Sequence, residues 1–220
     1  MIVVIIAGGN VDEKFTGGFI EDFDESSLFI IACDRGYEAC ERIGIKPDLL
    51  VGDFDSAGSG VADRAEAAGV QVIRLNPVKD DTDAEAALDI AIEKTTEEDE
   101  IYLLGATGTR LDHVLGNISL VAKGLKAGRI VTMLDSHNSI QMINPGETYV
   151  VEEGYQFGKY VSVFPYMAPV KGLNMKGFKY PVNNGDIEGF STLTVSNELV
   201  DKEGKITIEE GMLIVIESRD

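Results

Sequence analysis

The chain has 220 residues, which suffice for one large or two small domains and are too few for three. Its 38 acidic residues against 19 basic ones give a formal net charge of −19. A protein of this charge repels the phosphate backbone of nucleic acids, so we expect no nucleic-acid partner. It also opposes any anionic small substrate, unless basic side chains or a divalent cation reverse the sign locally at the site.

The N-terminal segment and the cysteines bear on location. The stretch MIVVIIAGG lacks a basic n-region and is too short an apolar run for a signal peptide or a membrane-spanning helix. Cys33 and Cys40 lack the CxxC spacing of redox and zinc sites, so we expect two buried, reduced thiols. We therefore expect a cytoplasmic protein with no membrane contact.

The first 135 residues repeat one pattern: a short apolar run, then Gly or Asp, then a segment of helical period. The runs are Ile2–Ala7, Leu28–Cys33, Leu49–Val51, Val70–Leu75, Ile101–Leu104 and Ile130–Leu134. Short runs rich in Val and Ile that do not alternate with polar residues are typical of strands buried on both faces. The pattern predicts an α/β domain with a Rossmann-like parallel sheet and helices on both faces.

Two helices are indicated most clearly between these runs. Residues 83–94 carry an apolar stripe, and Thr82 with Glu85 three residues later has the form of a capping box, so this helix begins near Thr82. The second helix spans about residues 110–125. Its predicted apolar face is formed by Leu111, Val114, Leu115, Ile118, Ala122 and Leu125.

After Asp135 the pattern changes to short β-type runs separated by turn signals such as Asn-Pro-Gly, Glu-Glu-Gly, Asn-Asn-Gly and Lys-Glu-Gly. These runs include Ser139–Ile143, Tyr160–Pro165, Thr192–Val195, Lys205–Ile208 and Met212–Glu217. Regular spacing of this kind predicts a smaller all-β sandwich or barrel. Of the two, we expect the sandwich. We expect two domains, residues 1–136 and 137–220.

Polar residues follow the buried runs, and ligands of open parallel sheets bind at the carboxyl ends of the strands. Asp53 and Asp55 follow the third run; two carboxylates so close either share a proton or bind a hard cation such as Mg²⁺. The alternative is a polar turn that caps the next helix. Asp80, Asp81 and Asp83 form a second acidic cluster, for which an N-cap is the alternative. The two clusters converge if their strands are neighbours.

The loop from Gly105 to Arg110 leads into the second helix. Small residues with free backbone N–H groups at a helix N-terminus bind anions, and Arg110 adds a bidentate donor for phosphate. The alternative is a connection whose glycines serve geometry alone. His113 and Asn117 lie four residues apart on the polar side of the helix, where they can reach one ligand or serve only as surface residues.

Taken together, these segments resemble the thiamine pyrophosphokinase family, in the family's order and from end to end. The matching motifs are Cys33-Asp34-Arg35-Gly36, Pro47-Asp48, Gly52-Asp53-Phe54-Asp55-Ser56, Lys79-Asp80-Asp81-Thr82-Asp83, Gly105-Ala106-Thr107-Gly108, Arg110-Leu111-Asp112-His113 and Ser196-Asn197-Glu198. The resemblance implies an enzyme that transfers diphosphate from ATP to the hydroxyethyl group of thiamine, releases AMP and uses Mg²⁺. It also implies a homodimer with sites between the α/β domain of one subunit and the β domain of the other.

The resemblance also implies residue roles. Asp53, Asp55 and Asp83 would be the Mg²⁺ ligands, and Ser196 and Asn197 would contact thiamine. The implied catalytic set is Asp53, Asp55, Asp80, Asp83, Arg110 and Asp112. The implied ATP contacts are Asp34, Arg35, Gly36, Thr82, Gly105, Thr107, Gly108, Arg110 and His113.

Three points stay open at this level. The general base is Asp80 or Asp112. The chain has no Trp, so a Tyr or Phe of the β domain would have to stack on thiamine, if any aromatic does. The rival functions are another Mg²⁺-dependent transferase, since Ile6-Ala7-Gly8-Gly9 resembles the opening of sugar nucleotidyltransferases, or a nucleotide sensor without turnover.

Overall fold

The computed structural model describes residues 1–54, 60–76, 82–189 and 191–220. The chain divides into two compact units, Met1–Ser136 and His137–Asp220. The first contains parallel strands and helices, and the second contains antiparallel strands. The expected mixed α/β class, with a large mostly parallel sheet and a separate antiparallel sheet, is confirmed.

A parallel sheet forms the centre of the first unit. Its strands are β1 (Ile2–Ile6), β2 (Leu28–Cys33), β3 (Leu49–Gly52), β4 (Gln71–Arg74), β5 (Glu100–Leu104) and β6 (Ile130–Leu134). Every run predicted for this unit is therefore a strand. The spatial order is β6-β5-β1-β2-β3-β4, so the winding reverses between β1 and β5. Such a reversal opens a crevice at the carboxyl ends of the strands.

The helices of the first unit begin at sequence signals. They are α1 (Glu13–Glu21), α2 (Gly36–Ile43), α3 (Val61–Ala67), α4 (Asp83–Lys94) and α5 (Leu111–Lys126). The Thr82 side chain accepts a hydrogen bond from the Glu85 N–H at 3.2 Å, so the predicted start of α4 is confirmed. The Glu85 carboxylate binds Lys123 Nζ of α5 at 2.9 Å, which joins the two helices.

The apolar face predicted for α5 is wrong for its first two turns. The side chains of Leu111 and Leu115 are 72% and 66% exposed. The buried residues of α5 are Leu120, Val121, Ala122 and Gly124. Gly124 approaches β6 so closely that a Cβ there would lie 2.1 Å from Val131 Cγ2. Only the second half of α5 is therefore held against the sheet.

Antiparallel strands form the second unit. They are β7 (Asn138–Ile143), β8 (Tyr149–Glu152), β9 (Tyr160–Pro165), β10 (Val170–Lys176), β11 (Val182–Ile187), β12 (Asn197–Glu198), β13 (Glu203–Thr207) and β14 (Leu213–Ser218). Two strand orders occur, β12-β9-β14-β7 and β11-β10-β13-β8. Thr192–Val195, predicted as a strand, contains turn residues, and the nearby strand begins only at Asn197.

The prediction from one turn signal of this unit is wrong. Asn-Asn-Gly, which predicts a break between strands, lies inside β11, where Asn184 has φ +47° and the register with β10 is irregular. Buried side chains from both sets of strands form the core of the unit. They include Ile143, Val151, Val163, Leu173, Met175, Ile187, Ile206, Leu213 and Val215.

Among the residues that the structure describes, no helix combines the length and the apolar character needed to cross a bilayer.

Candidate active site

The strands β2 and β3 end side by side and place two aspartates at the same edge. Cys33 and Val51 are partners in the ladder, and the Asp34 N–H donates to the Val51 carbonyl at 3.0 Å. Asp34 follows β2 directly, and Asp53 follows β3. Gly52 lies at this contact: a Cβ there would lie 3.4 Å from both Cα and Cβ of Asp34 and, more tightly, 3.2 Å from Phe54 Cε1.

The helix α4 brings a third aspartate to this edge. It packs against β1, β2 and β3, and Asp83 is its first residue. One carboxylate oxygen from each of Asp34, Asp53 and Asp83 lies within 4.8 Å of the others. Asp34 is buried, with 6% exposure, whereas Asp53 and Asp83 are half-buried. Three loop and helix ends, far apart in sequence, thus form one acidic cluster.

Both loops of this cluster carry strained backbone. Asp34 has φ +46° and Phe54 has φ +62°. Aspartate is tolerated in the left-handed region, but a bulky residue such as Phe is an outlier there. The Phe54 ring lies under the Arg74 guanidinium, whose Cζ is 5.7 Å from the ring centroid. Strain of about 1–3 kcal/mol per residue persists only where the surrounding structure enforces it, and it concentrates at functional sites.

The acidic cluster fits a hard divalent cation. Unit charges about 5 Å apart repel each other by roughly 3 kcal/mol at an effective dielectric constant of 20. Ionised carboxylates offer only acceptor oxygens, which are the ligands that Mg²⁺ prefers. A cation between Asp34, Asp53 and Asp83 would turn this repulsion into attraction. The donor set therefore matches the predicted metal.

The composition of the cluster differs from the predicted ligand set in one respect. The sequence motifs assign Asp53 and Asp83 to the metal and Asp34 to the nucleotide. In the structure, however, the Asp34 carboxylate lies beside the carboxylates of Asp53 and Asp83. The available signal was its position at the end of a buried run. Asp55 and Asp80, also predicted for this site, lie outside the described residues.

A second feature of this edge is the direct contact between the loops after β1 and β5. The Gly9 N–H donates to the Gly105 carbonyl at 2.8 Å, and the Asn10 N–H donates to the Thr107 carbonyl at 2.7 Å. A Cβ on Gly9 would lie 2.4 Å from both carbonyl oxygens, and Gly105 itself has φ +62°. Only glycine fits these positions, so the loops meet backbone to backbone. Gly108 continues this contact, with its Cβ position 3.3 Å from the Asn10 nitrogen.

The start of α5 carries an exposed ion pair. Arg110 is the N-cap residue, and its guanidinium donates twice to Asp112, Nε to Oδ1 at 3.2 Å and Nη2 to Oδ2 at 2.5 Å. This guanidinium lowers the pKa of the Asp112 carboxyl. His113 is exposed. Asn117, expected to reach a ligand with His113, donates its Nδ2 to the Ala106 carbonyl at 2.7 Å and so fixes the loop instead.

Three further residues predicted to contact ATP flank α2 and α4. Arg35 is exposed at the start of α2. Gly36 is buried, and a Cβ there would lie 2.0 Å from the Ile6 carbonyl oxygen, so it allows α2 to abut β1. Thr82 is exposed, with its hydroxyl oxygen already accepting the cap bond.

Ser196 and Asn197 lie in the second unit. Ser196 is exposed with φ +58°, and its N–H donates to Ser162 Oγ at 2.9 Å. Asn197 is 3% exposed and bonds the backbone of Tyr180 twice, Oδ1 accepting from the N–H at 3.0 Å and Nδ2 donating to the carbonyl at 2.8 Å. The Asn197 amide therefore fixes the segment that presents Ser196.

Comparison with known proteins shows which family the chain resembles. The family model described as "Thiamin pyrophosphokinase, catalytic domain" matches residues 20–133, and "Thiamin pyrophosphokinase, vitamin B1 binding domain" matches residues 148–213. Thiamine pyrophosphokinase of Bacillus subtilis is 39% identical over 218 residues, which are 98% of this chain and 98% of that protein.

Solved structures agree over the whole chain. The crystal structure of the Bacillus subtilis thiamine pyrophosphokinase has a TM-score of 0.88 at 36% identity and covers 100% of both chains. That of the thiamin pyrophosphokinase from Geobacillus thermodenitrificans has a TM-score of 0.84 at 35% identity, covering 100% of this chain and 98% of its own. This chain therefore belongs, as its motifs predict, to the thiamine pyrophosphokinase family of enzymes.

Proposed function

We propose that the enzyme transfers the terminal diphosphate of ATP to the hydroxyethyl group of thiamine, with Mg²⁺ as cofactor. The hydroxyl oxygen forms a bond to the β-phosphorus, the bond from that phosphorus to the α-phosphate oxygen breaks, and AMP leaves. The observation that carries the proposal is the convergence of Asp34, Asp53 and Asp83 at the carboxyl edge of the sheet. Catalysis of such a transfer consists mainly of positioning and charge stabilisation.

The carboxylates of Asp34, Asp53 and Asp83 would hold the cation. When bound, Mg²⁺ supplies positive charge that offsets the phosphate charge of ATP in a protein of net charge −19. Asp55 is proposed as a further ligand and Asp80 as a close neighbour on the sequence motifs alone. Thiamine is a cation, so the acidic surround favours its approach.

Nucleotide binding is proposed for the carboxyl edge of the sheet, beside the paired loops after β1 and β5, and for the start of α5. Arg110 donates to phosphate oxygens, a task suited to its planar fork of N–H groups. Gly105, Thr107 and Gly108 line the loop before it, and His113 is exposed beside it. Asp34, Arg35, Gly36 and Thr82 complete the proposed set on the other side of β1.

Asp80 and Asp112 are both proposed as candidates for the general base, on the sequence motifs alone. In the structure the Arg110 guanidinium lowers the pKa of Asp112, and release of Arg110 to ATP would remove that effect. Until ATP binds, Asp112 is proposed to hold Arg110.

Thiamine binding is proposed for Ser196 and Asn197. The exposed Ser196 hydroxyl is available to a ligand, and the Asn197 role requires the second hydrogen of its amide, since the first bonds the Tyr180 carbonyl. The β unit is proposed to act as a sandwich and the first unit as a Rossmann-like nucleotide domain. A cytoplasmic location, compatible with two free buried cysteines, belongs to the same proposal.

A homodimer is proposed as the active form, with sites between subunits. Leu111 and Leu115 of α5 are 72% and 66% exposed and give the first unit an apolar strip of the kind that subunit contacts bury. Light scattering after gel filtration tests this part, and a monomer at working concentration would reject it.

The deciding experiment is an assay for AMP with ATP, Mg²⁺ and thiamine, run with and without EDTA. We expect AMP that depends on thiamine and disappears with EDTA. A nucleotidyltransferase would release diphosphate instead, and a sensor would release neither product. Absence of thiamine-dependent AMP refutes the proposed reaction, and activity in EDTA refutes the cofactor.

A further inference from the structure

Cys33 connects two of the elements that form the acidic cluster. It is the last residue of β2, its side chain is 2% exposed, and it directly precedes Asp34. Its Sγ lies 3.7 Å from the backbone carbonyl oxygen of Asp83, to which the thiol donates. Cys33 is therefore next to Asp34 in the chain, and its thiol contacts Asp83. It adjoins two of the three residues of the cluster.

The Cys33 thiol adds a hydrogen bond at the first residue of α4 to the packing of that helix against the sheet. The ends of β2 and β3 are tied by their ladder and by the bond from the Asp34 N–H to the Val51 carbonyl at 3.0 Å. These bonds fix Asp34 relative to Asp53. Asp83 enters from α4, and the contact of its carbonyl with Cys33 ties the first residue of that helix to the sheet edge.

We propose that Cys33 is a positioning residue of the metal site: its thiol, bonded to the Asp83 carbonyl, holds the start of α4 where the Asp83 carboxylate shares a divalent cation with Asp34 and Asp53. This inference rests on the metal site of the proposed function. It assigns Cys33 no contact with metal or substrate. Hydrogen bonds to the residues that carry metal ligands keep those ligands in place and affect metal affinity.

The side chain at this position combines volume with a donor. Valine has a similar volume and no donor, whereas serine keeps a donor at the end of a shorter bond. The other free cysteine, Cys40, is fully buried in α2 and provides a matched control for removing a buried thiol. Comparison of these variants separates the hydrogen bond from simple packing.

The first test measures Mn²⁺ binding to the full chain without nucleotide, by electron paramagnetic resonance. We expect Cys33→Val to weaken Mn²⁺ binding roughly three- to tenfold, Cys33→Ser to recover part of the loss, and Cys40→Val to bind as the wild type does. The melting temperature of each variant is measured in EDTA, to check that the variant is folded. Wild-type affinity in Cys33→Val overturns the inference, as does an equal loss in Cys40→Val.

A second measurement uses the wild type alone, in case Cys33→Val does not fold. Cys33 is 2% exposed, so N-ethylmaleimide reaches it only after a local opening. We expect this opening to include the start of α4, which a cation shared across the cluster would hold against β2. We expect Mn²⁺ to slow alkylation of Cys33, located by peptide mass spectrometry, more than that of Cys40. Equal effects on both thiols contradict the inference.

The same data separate the two proposals. If the wild type binds no Mn²⁺, or if Asp53→Asn binds it as the wild type does, the metal site of the proposed function is refuted and the inference fails with it. If the wild type binds Mn²⁺ and Asp53→Asn does not, while Cys33→Val equals the wild type, only the role of Cys33 is refuted.

Discussion

The guanidinium of Arg110 forms a bidentate pair with the carboxylate of Asp112 at the start of α5, with N–O distances of 3.2 and 2.5 Å. Both side chains are about two-thirds exposed. An exposed pair of this kind contributes little to stability. It does occupy the donors that a phosphate would use, so in this state the carboxylate takes the place that we propose for ATP.

Replacement of Arg110 should therefore weaken ATP binding, whereas replacement of Asp112 should not. We expect Arg110→Ala to weaken ATP binding about tenfold or more, because charge-assisted bidentate bonds are lost. Asp112→Asn should leave it equal or tighter, because Arg110 no longer has a carboxylate competitor. Calorimetry with ATP and Mg²⁺, without thiamine, measures both. Weaker ATP binding in Asp112→Asn would show that this carboxylate assists the nucleotide instead of competing with it.

Neutralising one carboxylate of the cluster should abolish turnover without loss of the fold. We expect Asp53→Asn and Asp83→Asn each to lower the rate of AMP formation at least about a hundredfold. In EDTA their free energies of unfolding should equal or exceed that of the wild type, because a like charge has been removed from the cluster. We also expect Mg²⁺ to raise the melting temperature of the wild type and to leave that of either variant unchanged.

Asp89→Asn is the matched control, since this carboxylate of α4 pairs with Lys123 at 2.6 Å and is not a member of the cluster. Its activity and its response to Mg²⁺ should stay close to those of the wild type. A wild-type rate in Asp53→Asn or in Asp83→Asn would remove the metal site from the proposal.

Local sequence patterns were sufficient for much of the first unit. The apolar run of β6 and the cap of α4 each depend on neighbouring residues, so their ends could be placed to within a residue. The carboxyl-edge rule then brings the residues after β2 and β3 to one place, although it gives no distances between side chains.

What escaped prediction depends on partners distant in sequence. Helical period places Leu111 and Leu115 on an apolar face but does not say whether a neighbour covers it, and none within their own unit buries them. Asn184 follows a turn pattern and takes the left-handed backbone that such a pattern favours, but the chain continues within β11 through an irregularity in its pairing with β10. The closeness of Asp34 to Asp83 depends on how α4 packs against the sheet, which no spacing encodes.

Gly52 tests whether the close approach of the two loops matters for the site. A Cβ at this position would lie 3.2 Å from Phe54 Cε1 and 3.4 Å from Asp34 Cα and Cβ. We expect Gly52→Ala to displace Asp34 and Phe54 by a few tenths of an ångström and to weaken Mn²⁺ binding severalfold. Electron paramagnetic resonance titration measures this change.

Gly18→Ala is the control for Gly52→Ala, since nothing lies within 4 Å of a Cβ on this exposed residue of α1. It should leave Mn²⁺ binding unchanged and stabilise the fold by about 0.5–1 kcal/mol, because alanine favours helix. Unchanged Mn²⁺ binding in Gly52→Ala would mean that the cluster tolerates a wider spacing of its loops.

Tyr149 stabilises the second unit through a hydrogen bond to a buried carboxylate. Its hydroxyl donates to Glu217 Oε1 at 2.8 Å, and the Phe157 N–H donates to the other oxygen of this buried carboxylate at 2.8 Å. Tyr149→Phe leaves the first oxygen without that donor. We expect a loss of about 1–3 kcal/mol in the free energy of unfolding, measured with urea. Tyr155→Phe, at an 87% exposed position, should change it little.

The loss should depend on pH. Burial, followed by the Glu217 carboxylate, raises the pKa of Tyr149 well above its ordinary value. The folded protein thus holds this proton more tightly than the unfolded chain, whose tyrosines titrate near about pH 10. The contribution of Tyr149 is fully present below that pH and declines as the pH rises towards the folded pKa. The difference between wild type and Tyr149→Phe should therefore be constant from about pH 7 to 9 and shrink above about pH 10; a difference that grows there would refute this account of the pair.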